Sequence, residues 1–359
     1  MNITIVGAGN IGTQIAVHCA SKGHKVIIYT SKCDLFSKDL KIVNELGETF
    51  LSGEIDCATC DAPHAFCNAD LVFVTVPAFY MQDTAKVMSP HLKRGAKICL
   101  VPGTGGGEFA FKDAIDNGCV LFGLQRVPSV ARLVEYGKTV CATGYRDELF
   151  AAAIPDSFSS ECAKIIASIF DMKCSELPSY LNITLTPSNP ILHTTRLKTI
   201  FGDYTDGKTY DSVPLFYEGW TDESSRLLLA CDDEVQNICK ALDMFNLSFV
   251  KSLKIHYESE NAEQLTNKIT SIKSFKGLKT PSVKTADGYA PDLNSRYFTA
   301  DFSYGLEILI QIADFLNLPC PFMKSTMDWY NKIALQKNRF CFADYGINNL
   351  DDFINFYQQ

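Results

Sequence analysis

The 359-residue sequence lacks the features that mark several large classes of protein. It has no dense run of Lys and Arg, and its formal net charge of −8 argues against binding to nucleic acid. No apolar run reaches the roughly 20 residues that a transmembrane helix needs. The N-terminus reads as a strand, without the basic segment and apolar helix of a signal peptide. We therefore expect a cytoplasmic protein that binds neither nucleic acid nor a membrane.

Cysteine is abundant, but the spacing that marks a metal site is missing. The sequence contains 14 cysteines, and Cys57 and Cys60 form the only close C-x-x-C pair. No second pair stands at zinc-site spacing, so we predict no metal. Most other cysteines lie in apolar stretches, where a free thiol behaves as a small hydrophobic side chain. Reduced thiols in the core are therefore expected.

The first residues have the order strand, glycine turn and helix. Gly7 permits a tight turn, Gly9 lets the backbone approach a pyrophosphate, and Gly12 lets the helix pack close to the sheet. The free N–H groups at the start of the helix, from Asn10 and Ile11, would then face the phosphates. A second strand follows at the distance expected of a βαβ unit. The pattern predicts a dinucleotide-binding site, with an ordinary glycine-rich turn as the alternative.

The residues after the second predicted strand select the cofactor. A carboxylate at this place would bind the ribose hydroxyls of NAD, but the sequence reads Thr30, Ser31 and Lys32. Hydroxyl groups and a lysine suit the 2′-phosphate of NADP. We therefore predict NADP(H) in preference to NAD(H). NAD(H) is the alternative if Asp34 binds the ribose through a shifted loop.

Strands and helices alternate through the first half of the chain. Apolar runs read as further strands at 70–78, 96–101, 119–124 and 139–143, and helical patterns at 35–46 and 108–117. This alternation predicts an α/β Rossmann-type domain with a doubly wound, mostly parallel sheet. Val76 and Pro77 end one buried strand. We expect them at the cofactor because ligands bind beyond the carboxyl ends of parallel strands.

The second half of the chain changes to helical periodicity. Long helices are predicted at 221–245, 304–316 and 324–337, and a mobile surface connection at 266–286. We therefore expect a mainly α-helical second domain. The predicted boundary gives a dinucleotide-binding domain at 1–180 and a helical substrate and catalytic domain at 181–359.

One histidine in the second half is a candidate for proton transfer. Pro190 suits the first turn of a helix with Asn189 or Ser188 as its cap, so His193 falls one turn in. An imidazole is a natural general acid and base near neutral pH. Asp301 could fix its tautomer. A structural histidine and a helix-capping aspartate are the alternatives.

Four polar residues are candidates for holding an acidic substrate. Arginine binds carboxylates through two parallel hydrogen bonds, and Arg132, Arg196 and Arg296 lie close in sequence to the segments singled out above. Asn189 lies at the predicted start of the helix that carries His193. Exposure of these arginines to solvent, without any ligand, is the alternative.

The order of these motifs resembles the octopine/nopaline (opine) dehydrogenase family over nearly the whole chain. The matching segments are Gly7-x-Gly9-x-x-Gly12, Thr75-Val76-Pro77-Ala78, Asn189-Pro190-x-x-His193 and Arg296-Tyr297-x-x-x-Asp301. The resemblance implies a Rossmann domain, a helical domain and a site between them. It implies NAD(P)H-dependent reductive condensation of a 2-oxo acid with an amino acid through an imine. His193 matches the catalytic histidine of the family, and Asp301 matches its acidic partner.

Two other functions stay open from the sequence. A 2-hydroxy acid or ketopantoate-type reductase has a similar Rossmann half and relies on a lysine in its second domain, for which Lys198 is a candidate. A non-catalytic NADP-binding sensor is the second alternative. In each case the partners are small molecules, and a homodimer is compatible with the sequence.

Overall fold

The structure is a computed structural model that describes residues 1–186, 189–334 and 338–359. The chain separates into two units, one of Met1–Thr184 with Phe353–Gln359 and one of Leu185–Asp352. The predicted boundary after residue 180 lies four positions from the observed one. Assigning the C-terminal residues to the second domain was wrong. They belong to the first unit, where the ring of Phe356 packs against that of Phe109 with centroids 4.8 Å apart.

An eight-stranded sheet forms the centre of the first unit. With strands numbered in chain order, its spatial order is β5 (Cys57–Thr59), β2 (Lys25–Tyr29), β1 (Asn2–Val6), β6 (Leu71–Val74), β7 (Lys97–Leu100), β8 (Val120–Leu124), β11 (Glu148–Ile154) and β12 (Lys173–Glu176). All neighbours are parallel except β8 and β11. From β5 to β8 the order is that of a Rossmann sheet, which confirms the predicted fold class.

The apolar runs explain why these strands lie at the centre. Every residue of β6 and of β8 is buried, as expected of parallel strands that are covered on both faces. The predicted strands at 70–78, 96–101 and 119–124 are therefore confirmed. Their carboxyl ends lie along one edge of the sheet, which is where ligands bind in such domains.

A second, four-stranded sheet contains residues for which a helix was predicted. Its spatial order is β4 (Thr49–Glu54), β3 (Asp39–Val43), β10 (Thr139–Thr143) and β9 (Val130–Glu135). The helix predicted at 35–46 was wrong. Leu40 and Ile42 are buried while Asp39 and Lys41 are exposed, and this period of two belongs to a strand. The strand predicted at 139–143 is confirmed, but it lies in this sheet and not in the parallel one.

Helix α1 (Asn10–Ser21) packs in the core of the first unit through Ile15, Ala16 and Val17, which are fully buried. The other helices of this unit are α2 (Ala62–Phe66), α3 (Met81–Met88), α4 (Gly107–Ala110), α5 (Lys112–Asp116), α6 (Ser159–Phe170) and α7 (Leu181–Thr184). Single 3₁₀ turns lie at Cys33–Leu35, Ala78–Tyr80, Ser89–His91 and Asp156–Phe158. The helix predicted at 108–117 corresponds to α4 and α5.

The second unit is mainly helical, as predicted. Its helices are α8 (Asn189–Phe201), α9 (Asp222–Ala241), α10 (Leu253–His256), α11 (Ala262–Ser271), α12 (Arg296–Thr299), α13 (Glu307–Phe315) and α14 (Pro321–Ile333), and α15 (Leu350–Tyr357) ends in the first unit. The predicted helices at 221–245 and 304–316 are confirmed by α9 and α13. The third corresponds to α14, and its predicted last residues, 335–337, lie outside the described residues.

The surface connection predicted at 266–286 was wrong for much of its length. Leu265 and Ile269 are buried and anchor α11, and a 3₁₀ turn follows at Lys273–Phe275. An antiparallel hairpin of β13 (Ser282–Thr285) and β14 (Gly288–Pro291) completes the segment. Across the described ranges, no helix is both long and apolar enough to cross a bilayer.

Candidate active site

The glycine turn between β1 and α1 has the geometry that its sequence predicts. Gly7 has φ of +98°, a conformation that L side chains rarely adopt. A Cβ at Gly12 would lie 1.8 Å from the carbonyl oxygen of Gly7, so the helix packs against the turn as only glycine permits. A Cβ at Gly9 would meet no protein atom within 4 Å. Packing therefore does not demand glycine there, whereas close approach of a pyrophosphate would.

Thr75, at the end of β6, holds this turn in place. Its Oγ1 lies 3.0 Å from the carbonyl oxygen of Val6 and 3.1 Å from that of Gly7, and it can donate to either. Val76 and Pro77 follow it and are half-buried. Thr75 was not among the site residues predicted from the sequence. A hydroxyl side chain that ends an otherwise apolar strand was the signal that could have identified it.

The side chain of Asn10 bonds to protein. Its Oδ1 accepts a hydrogen bond from the backbone N–H of Leu133, at 2.8 Å, which ties the start of α1 to β9. Ile11 is half-buried and packs against the core of the first unit. Any contact of these residues with a phosphate would therefore come from their backbone N–H groups. On β9, Arg132 is exposed, and its Nη1 donates to the carbonyl of Ala131 at 2.9 Å.

The residues after β2 present no carboxylate at the strand end. The backbone N–H of Thr30 donates to the carbonyl of Thr59 at 2.9 Å, so the strand pairing continues to this point. Ser31 and Lys32 are exposed, and Lys32 Nζ lies 5.5 Å from the ring centroid of Tyr136. Asp34 is also exposed, in the 3₁₀ turn that follows. The tip therefore offers hydroxyls and an ammonium group to a ligand.

His193 and Asp301 meet in the second unit. Nδ1 of His193 lies 2.8 Å from Oδ2 of Asp301. His193 sits one turn into α8, which begins at Asn189 as predicted, while Ser188 lies outside the described residues. Asp301 precedes a π-helical turn at Phe302–Leu306, and its carboxylate makes no capping bond to that turn. The carboxylate therefore hydrogen-bonds to the imidazole and does not cap the helical turn.

The other imidazole nitrogen also has a partner, which sequence reasoning missed. Nε2 of His193 lies 2.9 Å from the hydroxyl of Tyr217. The ring of Tyr297 packs against the imidazole in a tilted arrangement, with centroids 4.2 Å apart at 35°. His193 is 7% exposed and Tyr217 5%, and burial raises the pKa of Tyr217 well above its usual range. The tyrosine is therefore a phenol that hydrogen-bonds to a neutral or a protonated imidazole.

Arg196 has a structural role in place of the predicted substrate-binding one. It is 2% exposed, and its Nε donates to the carbonyl of Phe216 at 2.9 Å. Its Nη1 donates to Oγ of Ser224 at 3.0 Å, and its Nη2 to the carbonyl of Gly219. Burial lowers its pKa to about 10. These bonds direct the guanidinium into the protein, so we withdraw Arg196 as a substrate ligand.

Comparison with known proteins identifies the architecture around this histidine. The family model of the octopine/nopaline dehydrogenase α-helical domain matches residues 176–334, which include the His193–Asp301 pair. The second half of the chain therefore carries the α-helical domain of the octopine/nopaline (opine) dehydrogenase family. The N-terminal domain of NAD-dependent glycerol-3-phosphate dehydrogenase matches residues 2–103, which include the glycine turn. The chain is therefore an NAD(P)-dependent oxidoreductase.

Relatives match this chain along most of its length. It is 24% identical to tauropine dehydrogenase of Arabella iricolor, over 98% of this chain and 99% of the relative. It is 26% identical to opine dehydrogenase of Haliotis discus hannai, over 88% and 87%. Among solved structures, octopine dehydrogenase with NADH and pyruvate superposes with a TM-score of 0.85 at 25% identity, covering 99% of this chain and 98% of that one.

Two residues predicted to bind the substrate, Asn189 and Arg296, lie at the surface of the second unit. Asn189 is exposed at the start of α8, four positions before His193. Arg296 is exposed at the start of α12, five positions before Asp301. Each therefore begins a helical segment that leads directly to one member of the histidine–aspartate pair.

Proposed function

We propose that this enzyme condenses a 2-oxo acid with an amino acid and reduces the resulting imine with NAD(P)H. The observation that carries the proposal is the 2.8 Å contact between His193 and Asp301 within the α-helical domain of the opine dehydrogenase family. Condensation of an ammonium group with a carbonyl needs a group that first takes a proton and later returns it. A buried imidazole with a carboxylate partner suits that task.

The chemistry of the pair follows from its hydrogen bonds. An ionised carboxylate can only accept, so Asp301 holds the neutral imidazole with its proton on Nδ1. The Nε2 side then takes a proton from the substrate ammonium and gives it to the oxygen that leaves as water. General acid–base help of this kind contributes about 10²–10⁴-fold to the rate. Bound NAD(P)H supplies the hydride that reduces the imine.

Residues at three places of the first unit are proposed to bind the cofactor. The turn of Gly7, Gly9 and Gly12, with the N–H groups of Asn10 and Ile11, would receive the pyrophosphate. Thr30, Ser31 and Lys32 would receive a 2′-phosphate, and Val76 and Pro77 would lie towards the nicotinamide. An exposed ammonium without a carboxylate at the strand end supports NADP(H) over NAD(H). A clear preference for NADH in kcat/KM would refute this assignment.

Arg132, Asn189 and Arg296 are proposed as substrate ligands. All three are exposed, and both guanidinium groups have the shape that binds a carboxylate through two hydrogen bonds. Both substrates carry a carboxylate, so two cationic groups match the charge of the condensation product. A homodimer and a cytoplasmic location stay predictions, the first of which light scattering after size exclusion would test.

A substrate panel tests the proposed function. 2-Oxo acids are crossed with amino acids, and oxidation of NADPH and NADH is followed with and without the amine. We expect amine-dependent oxidation and a product whose mass equals both substrates minus water plus two hydrogens. Oxidation of NADPH or NADH that does not depend on the amine would favour the 2-hydroxy acid or ketopantoate-type reductase. Tight NADPH binding without turnover across the panel would favour the sensor.

The lysine needed for the alternative reductase is directed away from the histidine. Lys198 lies five positions after His193 on α8, which is about 140° around a helix of 3.6 residues per turn. Its Nζ donates to Oγ of Ser325 on α14 at 2.7 Å. This placement gives the alternative no support.

A further inference from the structure

Both ring nitrogens of His193 are engaged within the second unit. Asp301 occupies the Nδ1 side at 2.8 Å, and the hydroxyl of Tyr217 occupies the Nε2 side at 2.9 Å. A neutral imidazole with its proton on Nδ1 has one lone pair, at Nε2, and that lone pair accepts from the phenol. The only ring atom that could exchange a proton with a substrate is therefore already bonded to Tyr217.

The ring of Tyr217 is held by stacking on its neighbours. It stacks on Phe275 with centroids 4.0 Å apart at 18°, and it lies nearly parallel to Trp220, at 8° with centroids 6.3 Å apart. Offset stacking of this kind is worth about 0.5–1.5 kcal/mol per pair beyond the area buried. Swinging the ring away to clear Nε2 would break these contacts. The hydroxyl is therefore a stationary neighbour of the imidazole.

The backbone on both sides of Tyr217 is held as well. Arg196 donates from Nε to the carbonyl of Phe216, at 2.9 Å, and from Nη2 to that of Gly219. Arg196 lies three positions after His193 on the same helix. One helix therefore carries both the imidazole and the guanidinium that orders the segment of its phenol partner.

We propose, on the basis of the proposed function, that Tyr217 relays the proton between the substrates and Nε2 of His193. Its oxygen first passes a proton from the substrate ammonium to Nε2, which frees the amine to attack the carbonyl carbon. The C–N bond forms as the second C–O bond of the carbonyl breaks towards oxygen, and one proton passes from the added nitrogen to that oxygen to give the carbinolamine. In the following step the O–H bond of Tyr217 breaks, and its proton goes to the carbinolamine oxygen.

The other bond changes of this step, in the carbinolamine and between Tyr217 and His193, balance the proton that Tyr217 gives up. The carbinolamine C–O bond breaks, water leaves, and the nitrogen lone pair forms the C=N bond. The proton on Nε2 moves to the oxygen of Tyr217, which leaves a neutral imidazole still bonded through Nδ1 to Asp301. One proton is taken and one is returned, and no atom changes its oxidation state before the hydride transfer.

Removal of one oxygen atom tests this relay. Tyr217→Phe keeps the ring that stacks on Phe275 and Trp220 and loses the hydroxyl alone. We expect kcat to fall at least about a hundredfold, the range of general acid–base catalysis, with little change in the Kd of NADPH. Tyr210→Phe is the matched control, because that hydroxyl bonds to Asp203, at 2.8 Å, away from His193. Its kcat should stay within about twofold.

The outcomes separate the relay from the proposed function. Loss of activity in His193→Ala together with near-normal turnover in Tyr217→Phe would overturn the relay and leave the proposed function standing. Normal turnover in both variants would contradict both the relay and the proposed function. If Tyr217→Phe unfolds, 3,5-difluorotyrosine at position 217 decides. It restores the hydroxyl as a stronger acid, so the alkaline limb of the kcat/KM–pH profile should move to lower pH, and an unmoved limb would contradict the relay.

Discussion

Oδ2 of Asp301 lies 2.8 Å from Nδ1 of His193, although 108 positions separate the two residues in the chain. The helix of His193 packs against the π-helical turn that follows Asp301. Gly305 in that turn allows close approach, because a Cβ there would lie 2.9 Å from side-chain atoms of Pro190. A proline one turn before the histidine and a glycine one turn after the aspartate thus bring the two polar groups together.

Asp301→Asn should lower kcat strongly, and its effect on the free energy of unfolding should be small by comparison. The amide keeps the shape of the carboxylate but can donate a hydrogen bond to Nδ1, which favours the tautomer with its proton on Nε2. That tautomer cannot accept a proton at Nε2. We expect kcat to fall about 10²–10⁴-fold, with NADPH binding unchanged when it is followed by fluorescence. Equal kcat in Asp301→Asn and wild type would show that the carboxylate does not set the tautomer.

Arg196→Lys should destabilise the second unit, since a single ammonium cannot replace three directed donors. The carbonyls of Phe216 and Gly219 would lose their partners inside the protein. We expect the free energy of unfolding to fall by on the order of 2–4 kcal/mol, measured by urea denaturation. Arg226→Lys, at an exposed site on α9, is the control and should change stability by less than about 0.5 kcal/mol. Similar stability of the two variants would contradict the structural role of Arg196.

Lys32→Ala should raise the KM for NADPH and leave that for NADH unchanged. The lost charge-assisted bond is worth about 1.5–3 kcal/mol, which corresponds to roughly ten- to a hundredfold in affinity. Lys25→Ala, an exposed lysine at the other end of β2, serves as the control. If Lys32→Ala weakens both cofactors equally, the ammonium does not bind a 2′-phosphate.

Glu108→Gln should flatten the dependence of stability on pH. Glu108 is fully buried, and burial raises its pKa to about 7, although Thr184 and Tyr357 both donate to its Oε1. The unfolded chain ionises this carboxyl near its usual pKa of 4.5. Its contribution to stability is therefore fully present below pH 4.5 and is lost as the pH rises to about 7.

The size of this loss is up to about 3 kcal/mol, since each pKa unit is worth about 1.4 kcal/mol. Melting temperatures of wild type and Glu108→Gln measured from pH 5 to pH 8 test it. Glu223→Gln removes an exposed carboxylate and should keep the wild-type slope. A parallel slope in Glu108→Gln would show that this carboxyl does not titrate in the range.

Features governed by local rules could be predicted from the sequence. The turn of Gly7 and Gly12 depends on backbone conformation and close packing, which glycine spacing states directly. The strand β6 is an uninterrupted apolar run, and its burial on both faces follows from that. His193 could be placed one turn into its helix because Pro190 marks the helix start.

Features that depend on residues distant in the sequence could not be predicted from it. Leu40 and Ile42 are compatible with a short helix as well as a strand, and the pairing of β3 with β10 decided the matter. Tyr217 lies in no motif, and its role depends on α8 and on the 3₁₀ turn that carries Phe275. The sequence alone does not show that Arg196 is buried, because the carbonyls that accept its hydrogen bonds lie 20 or more positions away.

Turnover of His193→Ala measures the central claim most directly. NADPH oxidation is followed with the best pair of 2-oxo acid and amino acid, and NADPH affinity is measured separately. We predict that kcat falls at least about a hundredfold while the Kd of NADPH stays within about twofold, because the imidazole transfers protons and does not hold the cofactor. Unchanged kcat in a folded His193→Ala enzyme would contradict the account.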